Sequence, residues 1–233
     1  SPSRRNQMPQ VNQMHNLYTS RNTQYAIRTT LLFIAVALAG CDSYYRASTP
    51  ASDYYYLNPE KSLSTVGRAA IVELNNNSSY PQVAGDVTDS LFQALQKKQI
   101  FGLTVIRQAD PQWQSLQLTP DATYSFEQLD AIRKSLKCDA ALVGTITRYQ
   151  PYPHMAIGLR LKIIDLTQGQ LLWGLEQIWD SADKTTEQRM KNYFQSQIRA
   201  GFAPINEQLL AVSPIEFFKF VAFEVAETMK VKK

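Results

Sequence analysis

Residues 31–39 form an unbroken apolar run that closes on Gly40 and Cys41. A run of that size is about half of the ~20 apolar residues a helix needs to cross a bilayer, so it does not read as a membrane span. Arg21 and Arg28 precede it, and no acidic residue occurs before Asp42. A positive flank, a short apolar stretch and small residues at its end make the pattern of an export signal, which is removed from the mature chain. The folded part is therefore built from residues beyond the run. The charge must be read the same way. The whole chain carries 24 basic and 20 acidic residues, net +4. Arg4, Arg5, Arg21 and Arg28 lie before the expected cut, and removing those four leaves 20 against 20. A nucleic-acid partner calls for a net basic surface to neutralise phosphates, so nucleic acid is excluded as the expected partner.

Leu38-Ala39-Gly40-Cys41 resembles the lipobox of bacterial lipoproteins. That resemblance implies cleavage between Gly40 and Cys41, acylation of the Cys41 thiol and a place in the cell envelope, with membrane lipid as one partner and the domain facing the periplasm. Residues 1–13 then read as a mis-called start, with Met14 (or Met8) opening a leader that ends at residue 40. Asp42 resembles the inner-membrane retention signal of enterobacterial lipoproteins. Residues 41–66, rich in Ser, Thr, Tyr and Pro without a sustained period, read as lipid anchor and tether. Their Tyr44, Tyr45, Tyr54, Tyr55 and Tyr56 suit either the headgroup level of a bilayer or packing on the domain. With Cys41 lipidated, Cys138 stands alone, so no intramolecular disulfide is expected. It reads as a small buried apolar residue.

Residues 67–180 carry a legible order. Residues 68–74 read as a strand, ended by the Asn-Asn-Asn-Ser-Ser loop. Val83, Val87, Leu91 and Leu95 recur every four residues on one helix face. Gly102 breaks that helix before a strand at 103–107. Ser125 and Gln128 have capping-box spacing and open a helix with Phe126, Leu129, Ile132 and Leu136 inward. A strand at 140–149 comes next. Then Ile157, Leu159, Leu161 and Ile163 alternate with Gly158, Arg160 and Lys162, the period of a half-buried strand. Thr167-Gln168-Gly169 turns the chain into a fifth strand ending near Ile178. Residues 181–233 read as a helical extension packed on the domain, its last helix capped by Ser213 with Pro214 first and Glu216 third. The expected fold is α+β, close to α/β: a mixed sheet of about five strands flanked by helices, with the helices on one side.

The segments Cys138-Asp139-Ala140-Ala141-Leu142-Val143-Gly144-Thr145-Ile146 and Ile163-Ile164-Asp165-Leu166-Thr167-Gln168-Gly169-Gln170-Leu171-Leu172-Trp173 carry a further likeness. The stretch from 67 to 178 resembles the periplasmic domain of the curli assembly/transport lipoproteins, related to the lipoprotein activators of penicillin-binding proteins and the amino-terminal domain of the Tol translocation protein. Gly144, Asp165, Gly169 and Trp173 are the motif positions. Gln168 departs from the pattern, which has Thr and Gly adjacent. The resemblance implies assembly, secretion support or activation of envelope machinery, and slightly favours the outer membrane.

The curli secretion channel needs inserted barrel hairpins of about 9–11 alternating residues per crossing. The short link with Pro151 and Pro153, and the charged segment after Trp179, leave no room for them. Catalysis has little to work with. His15 leaves with the leader, His154 sits in Tyr-Pro-His-Met, and no nucleophile elbow, phosphate loop, zinc or dinucleotide motif occurs. Asp86 and Asp89 share a helix face and read as solvated surface. No enzyme, cofactor or metal is expected. What remains is an interaction module for another envelope protein, with self-association as an alternative. Trp113, in the variable stretch, and Phe217 and Phe220, on a last helix whose apolar residues spread beyond a ~100° stripe, are the candidate partner-facing residues.

Overall fold

The computed structural model describes residues 54–111, 124–199 and 213–230. The chain divides into two units, Ser1–Thr49 and Pro50–Lys233. All described residues belong to the second, whose core is built from its own side chains. Among them the strands are β1 (Tyr55–Leu57), β2 (Arg68–Val72), β3 (Asn75–Asn76), β4 (Gly102–Ile106), β5 (Ala140–Gln150), β6 (Ala156–Asp165) and β7 (Leu171–Asp180). The helices are α1 (Val83–Lys98), α2 (Phe126–Leu136), α3 (Lys184–Arg199) and α4 (Pro214–Thr228). The fold is mixed α+β. The sheet has two more strands than expected because β1 and β3, with three and two residues, are too short to carry a period.

The strand order is β1-β7-β6-β5-β2-β4, with β3 also on β5. Strands β4, β2 and β5 run parallel, while β5, β6, β7 and β1 are antiparallel neighbours. This order overturns the expectation of helices on one side. The chain steps from β2 outward to β4, then back across β2 to β5. Crossovers of one hand taken in opposite directions put their helices on opposite faces. So α1 lies on one face with α4, burying Val83, Val87, Leu91 and Leu95 against Ile71, Leu142 and Leu161. Helix α2 lies on the other face, burying Leu129, Ile132 and Leu136 against Ala70, Val72, Ala141 and Val143.

Local chemistry fixes the helix starts. The Ser125 hydroxyl accepts from the Gln128 N–H at 3.3 Å, and the Gln128 side chain accepts from the Ser125 N–H at 2.8 Å, both halves of a capping box. At α4 only one half forms. Ser213 caps the Glu216 N–H at 3.4 Å, while the Glu216 carboxylate takes the Lys219 ammonium at 2.6 Å.

The sheet begins earlier than a tether running to residue 66 would allow. Strand β1 pairs with β7, Tyr56 opposite Gly174. Asn58 donates through its side chain to the Leu171 carbonyl at 2.9 Å. The Lys61 ammonium meets Asp165 at 2.6 Å, and Leu63 and Val66 are core. Tyr54-Tyr55-Tyr56-Leu57 is too short and too uniform a stretch to show as a strand in the sequence.

Candidate functional site

Two surfaces of the domain differ in what covers them. On the β5–β6–β7 half of the sheet, one face is packed under α3 and α4, and the other lies beyond the edge of α2. Parity assigns Arg148, Gly158, Arg160, Lys162, Gly174, Glu176 and Ile178 to that second face, which is bare of helices among the described residues. Tyr56, opposite Gly174, and Tyr54, two residues before it, extend it onto β1. Tyr54 is 81% exposed, Ile178 57% and Tyr56 45%. Arg160 and Glu176 are direct cross-strand partners and form an ion pair at 3.0 Å. Gly158 is where the bare face closes on itself. A Cβ there would sit 2.5 Å from the Thr147 hydroxyl and 3.3 Å from Ile178, so Thr147, in the β5 bulge, fills the space a side chain would take.

Two shallow depressions run beside β7 along this edge. One, of about 690 Å³, is lined by Tyr54, Tyr56, Arg160, Lys162 and Glu176. The other, of about 720 Å³, has Tyr54, Thr147, Ile178, Asp183 and Arg189 in its wall. The Thr185 hydroxyl and the Thr186 N–H and hydroxyl all donate to Asp183, holding its carboxyl down to about 2.

The opposite, helical side is stitched rather than bare. The Trp173 indole N–H donates to Thr228 at 3.1 Å and that of Trp179 to Glu224 at 2.7 Å, so both tryptophans of β7 hold α4. Glu224 is buried, and Arg189 of α3 meets its other oxygen at 2.7 Å. Lys98 pairs with Glu227, joining α1 to α4. Between these helices runs a groove of about 440 Å³, with Phe223 and Ala94 at its floor and Gln93, Lys97 and Glu216 at its rim. Tyr193 borders it, its hydroxyl pushed up to about 12 by burial and the Glu216 charge.

The motif positions named from the sequence are distributed through the sheet. Gly144 lies opposite Leu161. A Cβ at 144 would collide with Leu161 Cδ2 and stand 2.7 Å from the Arg160 carbonyl oxygen. Asp165 accepts from the Thr167 N–H at 3.1 Å with one oxygen and from Lys61 with the other. Burial raises its pKa, but these bonds together outweigh that and leave it lowered. Gly169 turns with φ +71, and its N–H donates to the Asp165 carbonyl at 2.8 Å. Trp173 is fully buried.

Phe217 and Phe220 require a correction. Offered as partner-facing, they are 0% and 1% exposed, inside the core. Helix α4 is wedged between sheet, α1 and α3, so most of its wide apolar sector is consumed internally, Ile215 and part of Phe223 excepted: Tyr193 of α3 stacks on Phe220 and Phe223, and Tyr149 of β5 on Phe218. Gly40, Cys41 and Trp113 lie outside the described residues. The bare-face cations and Ile178 do not emerge as a group from the sequence. Their signal sits in the even-numbered positions of 158–162 and 176–178, where it looks like the wet side of a half-buried strand.

Burial raises the Cys138 thiol, and His154 Nε2 lies 3.6 Å from Asp180 at the start of β6. Among the described residues no group of three His, Cys, Asp or Glu is placed to hold a metal ion, and no helix is long and apolar enough to cross a membrane.

No protein-family model matches the chain, and no curated protein does. Solved structures similar to it include the PelC dodecamer from Paraburkholderia phytofirmans, at 15% identity over 57% of this chain and 84% of that one, TM-score 0.39. The lipoprotein GNA1162 from Neisseria meningitidis aligns at 13% identity over 59% and 99%, TM-score 0.39. The C-terminal domain of LpoB from Escherichia coli aligns at 20% over 49% and 83%, TM-score 0.34. At these scores the likenesses assign neither family nor function.

Proposed function

We propose that this chain is a cell-envelope lipoprotein, anchored through acylated Cys41, whose domain works by binding another envelope protein and not by turnover. The observation that carries the reading is Leu38-Ala39-Gly40-Cys41 at the end of a short apolar run behind Arg21 and Arg28. A self-contained domain close behind the anchor supports it. So does the groove between α1 and α4, with an apolar floor and a mixed-charge rim, the composition of a modest protein-docking surface. Assembly or secretion support is the role in keeping with the resemblance drawn from its sequence motifs.

Growth with an alkyne fatty acid tests the anchor: the full chain is expected to take the label, and Cys41→Ser to lose it. A photo-crosslinking residue at Gln93 or Phe223 in intact cells tests the groove, with a discrete heteromeric adduct expected. Electron microscopy of the detergent-extracted protein guards against the channel alternative, since a ring with a membrane belt would replace this reading by a pore.

A further inference from the structure

We infer that the chain pairs with a second copy of itself through β4, antiparallel and about a two-fold axis at Thr104, so that two sheets join into one. Neither the anchor nor the α1–α4 groove takes part. Strand β4 ends the sheet on its side: β2 lies against one edge, and among the described residues no strand lies against the other. In the parallel β2–β4 ladder the Gly102 N–H donates to the Gly67 carbonyl at 2.9 Å, and the Ile106 carbonyl accepts from the Glu73 N–H at 2.8 Å. Residues 102, 104 and 106 therefore turn their backbone groups toward β2. Alternation points the N–H and C=O of Leu103 and Val105 outward, and no described residue bonds with them. The open edge stops at Arg107, whose N–H goes to Asp110 Oδ2 at 2.7 Å and whose carbonyl accepts from the Asp110 N–H at 3.0 Å.

Proteins usually blunt such an edge with charge, proline or a bulge. Gly102-Leu103-Thr104-Val105-Ile106 carries no charge and no proline, and its pairing with β2 runs without a register shift. The core is also incompletely covered there. Ile100, Phe101 and Leu103 are half-buried apolar residues at the fringe of the core beneath α1. Phe92 of α1 is another. It comes three residues after Asp89, which pairs with Arg107 at the end of β4, so it stands on the β4 side of its helix.

An incoming strand must be uncharged and must bring apolar side chains to the α1 side, and β4 of a second copy is such a strand. The two-fold at Thr104 sets Leu103 opposite Val105 of the second copy, and Val105 opposite its Leu103. Both are hydrogen-bonded pairs, so every outward group of the two residues is used. Thr104 meets its own equivalent as a non-hydrogen-bonded pair. Apolar faces apolar, and no charge faces a like charge: Arg107 falls opposite Phe101 and is already answered by Asp89. A contact of this isologous kind closes at two copies.

Oxidative cross-linking of the full chain in intact cells tests the pairing and its register. Thr104→Cys should give a disulfide dimer, because opposed residues of a non-hydrogen-bonded pair stand about 4.5 Å apart at Cα, within disulfide reach. Leu103→Cys should give on the order of tenfold less, since this register holds the two copies of residue 103 more than about 7 Å apart. The chain with only its own Cys41 and Cys138 sets the background. Adding Val105→Pro to Thr104→Cys removes an outward N–H and no bond to β2, and should return the dimer to that background. Val105→Lys, which leaves the backbone intact and sets a charge against Leu103 of the second copy, should do the same. No dimer at 104, equal yields at 103 and 104, or a dimer that survives both edge variants overturns the inference. So does a mixed disulfide between Thr104→Cys and a different protein, which would assign the edge to that protein's strand.

Discussion

The two faces of the β5–β6–β7 sheet are made from the same strands and are held to opposite standards. One face is sealed by α3 and α4: both indole N–H groups and the Glu224 carboxylate have partners within 3.1 Å, while the buried Gln177 Oε1 has none among the described residues. The other carries the exposed Arg148 and Glu176, the half-buried Arg160 and Lys162, and an Ile178 that is 57% exposed. Burial makes each group on the first face costly to disturb, while solvent makes those on the second nearly free to change. Constraint marks the scaffold, and freedom marks the surface open to contact.

That contrast is breakable, and the largest test is steric. Gly144→Val would force a branched side chain into Leu161 and the Arg160 carbonyl, and should cost about 3 kcal/mol or more, read as a drop in the urea midpoint. A loss under about 1 kcal/mol would mean the packed face yields. Next comes Arg189→Met, which strands the Glu224 carboxylate in the core. Losing one partner of a buried pair costs about 3 kcal/mol. The double change Arg189→Met with Glu224→Leu should recover much of that, because the packed face then holds no uncompensated charge.

A third test is set by pH. Lys61 and Thr167 hold the Asp165 carboxyl below its ordinary 3.8, against the pull of burial. A carboxyl lowered in the folded state stabilises above its unfolded value and loses that contribution as pH falls through the folded one. Thermal melts should therefore fall below pH ~4. Lys61→Met should flatten that fall and cost about 1 kcal/mol at neutral pH. The smallest effect belongs to the bare face. Ile178→Ser should change stability by no more than about 0.5 kcal/mol. A much larger cost would put Ile178 in the core and erase the distinction between the faces.

Legibility in the sequence tracks pattern length. Helices α1 and α2 show themselves through four-residue recurrence and the Ser125–Gln128 box, and β6 through its sustained alternation. Strands β1 and β3 have no such length, since pairing across the sheet, not local preference, makes them strands. Helix α4 announces its apolar breadth but not its direction. Whether Phe217 and Phe220 face inward depends on α1 and α3 flanking it, and no local sequence encodes that. The side of the sheet taken by α2 is likewise set by strand order, which propensity does not contain. The bare face combines two hairpins and a strap distant in sequence. Its members alternate correctly, yet only the register brings Tyr54, Arg160 and Ile178 to one side.

The strap of residues 54–66 gives the proposed anchor a mechanical meaning. With Cys41 acylated as proposed, drag on the lipid end would reach the domain first through the backbone bonds of β1 to β7, then through Asn58 and the Lys61–Asp165 link. These contacts act as a fuse in series with the leash. If they part, β5, β6 and β7 still hold one another, and the released stretch lengthens the tether. A load that would otherwise begin to unfold the core instead draws out slack.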